Sequence, residues 1–171
     1  MQYSKFYNAL APLIAKLFKI TAEGVENIPE CGCIVASNHI AFTDPILISV
    51  AASGRQICFM AKKELFKTPL APLIKALGAF PVDRSAANVN SIKTAISLVE
   101  DGKALGIFPQ GHRRAGKDPR TTEIKDGVGM IAFRSKAPVV PVIIENDKMR
   151  TGLFKKTHIV FGKPVSYDEL G

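Results

Sequence analysis

Apolar positions along the chain recur at two spacings. Between residues 4 and 20, Phe6, Leu10, Leu13, Ile14 and Leu17 fall three or four apart, while Lys5, Asn8, Lys16 and Lys19 take the other positions. That spacing predicts an amphipathic helix, with Pro12 as the place where it kinks or splits. Residues 86–101 carry the clearest helical signal, with Val89, Ile92, Ile96 and Val99 on one side and Gly102 as the stop. Shorter helices are expected over 45–52, 69–77 and 128–136. The first has Asp44 as N-cap and Pro45 at the first helical position. Between them lie short continuous apolar runs at 34–37, 57–61, 79–82, 105–108, 139–144 and 158–161.

Continuous apolar runs mark strands buried on both faces, and strands alternating with helices mark crossover units. The fold class expected is therefore α/β: a mostly parallel sheet with helices on both faces, preceded by the amphipathic segment. The basic, polar stretch 111–125 reads as a loop. No internal repeat and no linker divides the chain.

Composition narrows the function classes. A chain of 171 residues with 47% hydrophobic and 22% charged residues forms one core without disulfides. Cys31, Cys33 and Cys58 are too few for a disulfide framework, and Cys31 and Cys33 with His39 lack a fourth ligand at zinc spacing. No run reaches 18 apolar residues, so no spanning helix is expected, and the amino-terminal segment lacks a signal peptide's features. The net charge of +8 calls for an anionic partner. Residues 1–19, 55–75, 103–125 and 148–163 carry +3, +4, +4 and +5, which suits a shared positive face. Nucleic acid fits poorly: there is no tryptophan, and the three tyrosines do not interleave with the basic loops.

Three loops carry candidate chemistry. Asn38-His39-Ile40-Ala41-Phe42-Thr43-Asp44-Pro45 follows a strand and opens a helix, where α/β sheets bind ligands. A histidine there serves as a base near neutral pH if a carboxylate fixes its tautomer. On a continuous helix the five-residue spacing would separate His39 from Asp44; in a turn that folds back they meet. Gly78 to Arg84 presents an arginine after an extended piece, and Phe108-Pro109-Gln110-Gly111-His112-Arg113-Arg114 presents cations in a glycine turn. Gly111 to Lys117 mimics a phosphate-binding loop, but Asp118 stands where Ser or Thr would hold magnesium. Gly127 to Ala132 mimics a dinucleotide fingerprint without its preceding strand.

In order, Asn38-His39-x4-Asp44-Pro45, Ala61-Lys62-Lys63-Glu64-Leu65, Gly78 to Arg84, Phe108 to Arg113 and Val140-Pro141-Val142-Ile143 resemble the blocks of the glycerolipid acyltransferases, in the compact bacterial form that acts on 1-acyl-glycerol-3-phosphate. The resemblance runs from about residue 20 to 165. It implies cofactor-free transfer of a fatty acyl group from acyl-coenzyme A or acyl carrier protein to the free hydroxyl of that lysophospholipid. His39 and Asp44 would be catalytic, while Arg84, Arg113, Lys62 and Lys63 would bind the acceptor phosphate. Gln110 and Gly111 would form the acceptor-binding loop, and Val140–Ile143 would line a cleft. Gln110 and His112 stand where the family usually has Glu and Thr. With this reading, residues 1–20 are expected to be a membrane-surface helix and 21–171 the acyltransferase domain, peripheral on the cytoplasmic face and touching anionic lipid. The rival readings are a non-catalytic module for anionic lipid and an acyltransferase acting on a different lysolipid.

Overall fold

A computed structural model describes residues 2–69, 71–82, 89–146 and 149–169. The main elements are α1 (Gln2–Leu17), β1 (Ile20–Glu23), β2 (Cys33–Ser37), α2 (Asp44–Ala51), β3 (Ile57–Lys62), α3 (Ala71–Ala76), β4 (Phe80–Val82), α4 (Val89–Glu100), β5 (Ala104–Ile107), α5 (Gly127–Ser135), β6 (Val139–Glu145) and β7 (Thr157–Phe161). The seven strands form one sheet in the order β1-β7-β6-β2-β5-β3-β4. Every neighbouring pair is parallel except β6–β7, so the expected α/β class is what the chain adopts.

The strand alternation sorts the core into two layers. Cys33 and Val35 of β2 point to a layer with Leu47 and Ile48 of α2 and Ile14 of α1. Ile34 and Ala36 point the other way, against Ala95 and Val99 of α4 and Ile131 and Ala132 of α5. Ile34, Leu47, Ile57, Leu105 and Ile144 are fully buried. Each contributes about 1.5–3 kcal/mol of apolar burial, which fixes the register of the central strands. Burial pushes the Cys33 thiol up to about 11, so it behaves as a small apolar core residue.

Several boundaries differ from the sequence pattern. The amino-terminal helix ends at Leu17, and Ile20 opens β1 on the sheet edge rather than closing a helix over 4–20. Lys19 at φ 43° turns the chain into β1, and pairing with β7 supplies the backbone hydrogen bonds that ITAE could not announce by hydropathy. Ala11 of α1 is buried and Ile14 packs on the core, whereas Leu13 and Lys16 are exposed. Asp44 is not the N-cap of α2: Thr43 precedes the helix, and Asp44 begins it with its carboxylate turned back over the preceding loop.

Candidate active site

The sheet order creates a crevice. From β2 the chain crosses to β3 on one side, while from β5, the strand next to β2, it crosses to β6 on the other. The connections diverge at the carboxyl ends of β2 and β5, the topological switch point at which open α/β sheets bind ligands. The loops after these two strands carry His39 and Gln110.

The turn after β2 brings His39 and Asp44 together. His39 Nδ1 lies 2.8 Å from Asp44 Oδ2. A carboxylate only accepts, so Nδ1 carries the hydrogen and Nε2 is left as the basic nitrogen. The same Oδ2 accepts from the backbone N–H of Ile40 at 2.6 Å and of Ala41 at 2.8 Å. Asp44 is fully buried, whereas His39 keeps 16% of its side chain exposed. The aspartate thus folds the turn, and the folded turn presents the imidazole at the crevice.

Three further contacts fix the histidine. Its ring stacks on Phe108, with centroids 4.0 Å apart and planes 17° from parallel, and Phe108 stacks in turn on Phe59. Its N–H donates to Gln110 Oε1 at 2.8 Å. Its carbonyl accepts from the Arg114 N–H at 2.7 Å. Asn38 next to it is buried and exchanges two hydrogen bonds with the backbone of Ile144, extending the β2–β6 pairing by one step. Among these, Phe108, Asn38 and Arg114 had no assigned role from the sequence. Stacking and backbone bracing leave no spacing signature.

Gln110 lies deeper than an acceptor-binding residue need be. It is 4% exposed, and its Nε2 donates to Thr122 Oγ1 while its Oε1 holds His39. Gly111, at φ 71°, makes the turn. A Cβ there would sit 2.9 Å from Lys125 Cε, so the Lys125 side chain lies across this loop.

Of the expected phosphate ligands, Arg113 is exposed on the loop after β5, and Lys62 is exposed at the carboxyl end of β3. Lys62 is two strand spacings from β2, about 10 Å. Lys63 follows it, exposed, and Arg84 lies outside the described residues. Arg114, the other arginine of that glycine turn, has its Nε buried with no hydrogen-bond partner among the described residues.

Two clefts flank the His39 turn. One is bounded by Asn38, Gln110, Arg120, Ile124, Val142 and Ile143. Val140, expected with Val142 and Ile143 in a cleft wall, is instead fully buried in the core. The other cleft, almost wholly apolar, is bounded by Phe42, Ile46, Phe59, Met60, Leu65 and Leu77.

The model of the acyltransferase family matches residues 19–145, which spans every element of this crevice. The chain belongs to the acyltransferase family. It is 35% identical over 162 residues to the 1-acyl-sn-glycerol-3-phosphate acyltransferase of Bacillus subtilis (strain 168), covering 92% of this chain and 79% of that protein. It is 31% identical over 156 residues to the enzyme of the same name from Borreliella burgdorferi, covering 86% of this chain and 58% of that protein. In Streptococcus pneumoniae the namesake is 29% identical, and the match spans about half of its length, 51%. The crystal structure of the 1-acyl-sn-glycerophosphate (LPA) acyltransferase PlsC from Thermotoga maritima superposes with a TM-score of 0.72 at 27% identity, over 98% of this chain and 71% of that one. In this acyltransferase the His39 turn stands beside an apolar cleft.

Proposed function

We propose that this acyltransferase moves a fatty acyl group from a thioester, acyl-coenzyme A or acyl carrier protein, to the free hydroxyl of 1-acyl-glycerol-3-phosphate, forming phosphatidic acid. The observation that carries the reading is the His39–Asp44 pair, held by a buried carboxylate at the switch point with Nε2 left basic.

In this reading Nε2 of His39 removes the proton from the acceptor hydroxyl as its oxygen attacks the thioester carbonyl. Asp44 stabilises the imidazolium so formed. The tetrahedral intermediate collapses, the carbon–sulfur bond breaks, and the imidazolium returns its proton to the departing thiolate. The atoms balance as ester plus thiol, with no acyl-enzyme and no cofactor. The apolar cleft takes an acyl chain, and Arg113 and Lys62, with Lys63 and Arg84, hold the acceptor phosphate. The loop of Gln110 and Gly111 shapes the acceptor side by setting the His39 turn. The enzyme works peripherally at the cytoplasmic face of the membrane, where α1 and the turn after it lie at the lipid surface with Leu13, Lys16 and Lys19 outward. No helix among the described residues is long and apolar enough to cross a bilayer.

The test is thiol release from both donors with a panel of lysolipids, with products identified by mass spectrometry. Phosphatidic acid should form from 1-acyl-glycerol-3-phosphate, and His39→Ala should lower turnover at least about a hundredfold while the protein stays folded. Preference for another lysolipid overturns the acceptor; absence of thiol release from either donor overturns the catalytic reading in favour of a lipid-binding module.

A further inference from the structure

Two described residues of the β6–β7 connection, Leu153 and Phe154, are large, apolar and exposed. Ser37, the last residue of β2, pairs with Val142, and β6 continues three residues further, to Glu145. The hairpin therefore rises about 10 Å above the carboxyl edge of β2. In its loop, Gly152 accepts from the N–H of Lys155 and closes a tight turn. Leu153 and Phe154 are its central residues, 58% and 67% exposed. Phe154 sits at φ 63°, a position where glycine is the favoured residue. A bulky aromatic there is costly and gains nothing from the core. Its backbone is pinned: the Phe154 N–H donates to the carbonyl of Leu17 at 2.7 Å, tying the turn to the end of α1.

Cations ring this apolar tip. Arg150, Lys155 and Lys156 are exposed on the loop, and Lys16 and Lys19 are exposed at the end of α1 that the turn caps. The hairpin's acids, Glu145 and Asp147, precede Met149, and none occurs from there to Ser166. Two exposed apolar side chains within a positive collar match the chemistry of an anionic bilayer, which takes the side chains below its head groups and the cations at its surface. An acidic protein would be served by the cations but not by two exposed apolar side chains among them. We propose that Leu153 and Phe154 insert into an anionic bilayer and, with the five cations, seat the carboxyl edge of the sheet on the membrane. The proposal rests on the reading that the acceptor is a bilayer lipid: the seated edge is the one carrying His39.

The chain has no tryptophan, so a single replacement is a clean reporter. Phe154→Trp should shift its emission to the blue on vesicles of phosphatidylglycerol and be quenched by brominated acyl chains in them. Phe133→Trp, 72% exposed near the end of α5 toward the opposite edge, should do neither. Leu153→Ser/Phe154→Ser should weaken partitioning into the same vesicles at least about tenfold. Lys155→Gln/Lys156→Gln should cost about fivefold for each lysine at low salt. Each variant should keep the parent's turnover of a monodisperse short-chain acceptor. An unquenched Phe154→Trp, equal quenching at Phe133→Trp, or a Phe154→Trp shift seen only with acyl carrier protein overturns the proposal. Because quenching needs no turnover, a protein that inserts but fails to acylate sinks the functional reading alone, and one that acylates without inserting sinks only the tip.

Discussion

Asp44 Oδ2 receives three donors, two from the backbone and one from His39, so this residue carries the turn as well as the base. The two functions separate by substitution. In Asp44→Asn the amide oxygen can take the Oδ2 position and keep all three hydrogen bonds, but the charge that stabilises the imidazolium is gone. Turnover should fall about 10²–10⁴-fold with little change in Tm. Asp44→Ala strands the N–H groups of Ile40 and Ala41 and should cost a further 1–3 kcal/mol for each, roughly, in thermal or denaturant unfolding. Equal stability of the two variants would refute the division. Gln110 gives a second case. Its Nε2 donates to Thr122 Oγ1, whose own hydrogen goes to the Pro119 carbonyl. Gln110→Glu replaces that donor with an acceptor, and the hydroxyl can answer by rotating to donate. Turnover of a phosphate acceptor should therefore change less than about tenfold, since two neutral hydrogen bonds give way to one that is stronger because its acceptor is charged. A larger loss in kcat/KM at unchanged Tm would place Gln110 against the substrate.

The strands and turns reach the histidine through a column of side chains that begins at a glycine. Gly106 in β5 has the Phe59 ring against it: a Cβ there would lie 2.3 Å from the ring's nearest carbon. Phe59 supports Phe108, and Phe108 supports the imidazole. Gly106→Ala should force Phe59 aside and destabilise the protein by about 1–3 kcal/mol. It should also lower kcat more than it raises KM, because the imidazole loses its platform. Gly106→Ala/Phe59→Leu should recover much of the lost Tm but not the rate; recovery of both would detach the column from catalysis. This column is where sequence reading stops. Buried strands such as CIVAS and ALGI announce themselves by continuous apolar runs, and the His39 turn by its residue types. The fit of a glycine to a ring 47 positions earlier depends on β3 and β5 being neighbours, which only the sheet order supplies. The same holds for β1, whose single large apolar residue carries no period and whose pairing with β7 is a matter of backbone.

Across the whole molecule the charge is sorted by the direction of the strands. Among the described residues the carboxyl edge carries Lys62, Lys63, Lys67, Arg113, Arg114, Lys117, Arg120, Lys125, Arg150, Lys155 and Lys156, with Lys16 and Lys19 beside them, against Glu64, Asp118, Glu123, Asp126 and Glu145. The opposite edge, where β2 and β5 begin and β1 and β7 end, carries Glu23, Glu26, Glu30, Glu100 and Asp101 against Arg55, Lys103, Lys136 and Lys163. The excess of +8 was legible in the sequence, and so were the basic segments; that most of their cations share an edge follows from the topology. A protein so polarised should meet an anionic surface with its catalytic edge first, because field strength near the surface falls off within a Debye length of about 8–10 Å. Position can be separated from net charge with two matched variants. Lys16→Glu/Lys19→Glu and Lys103→Glu/Lys163→Glu each lower the net charge from +8 to +4, the first pair at the carboxyl edge and the second at the opposite one. On vesicles containing phosphatidylglycerol at low salt, the first should lose most of its binding and of its rate on embedded acceptor. The second should keep both within a few-fold, and raising the salt to about 0.5 M should bring the parent down toward the first variant. Equal losses in the two variants would mean that overall charge, and not the edge that bears it, brings the enzyme to its lipid.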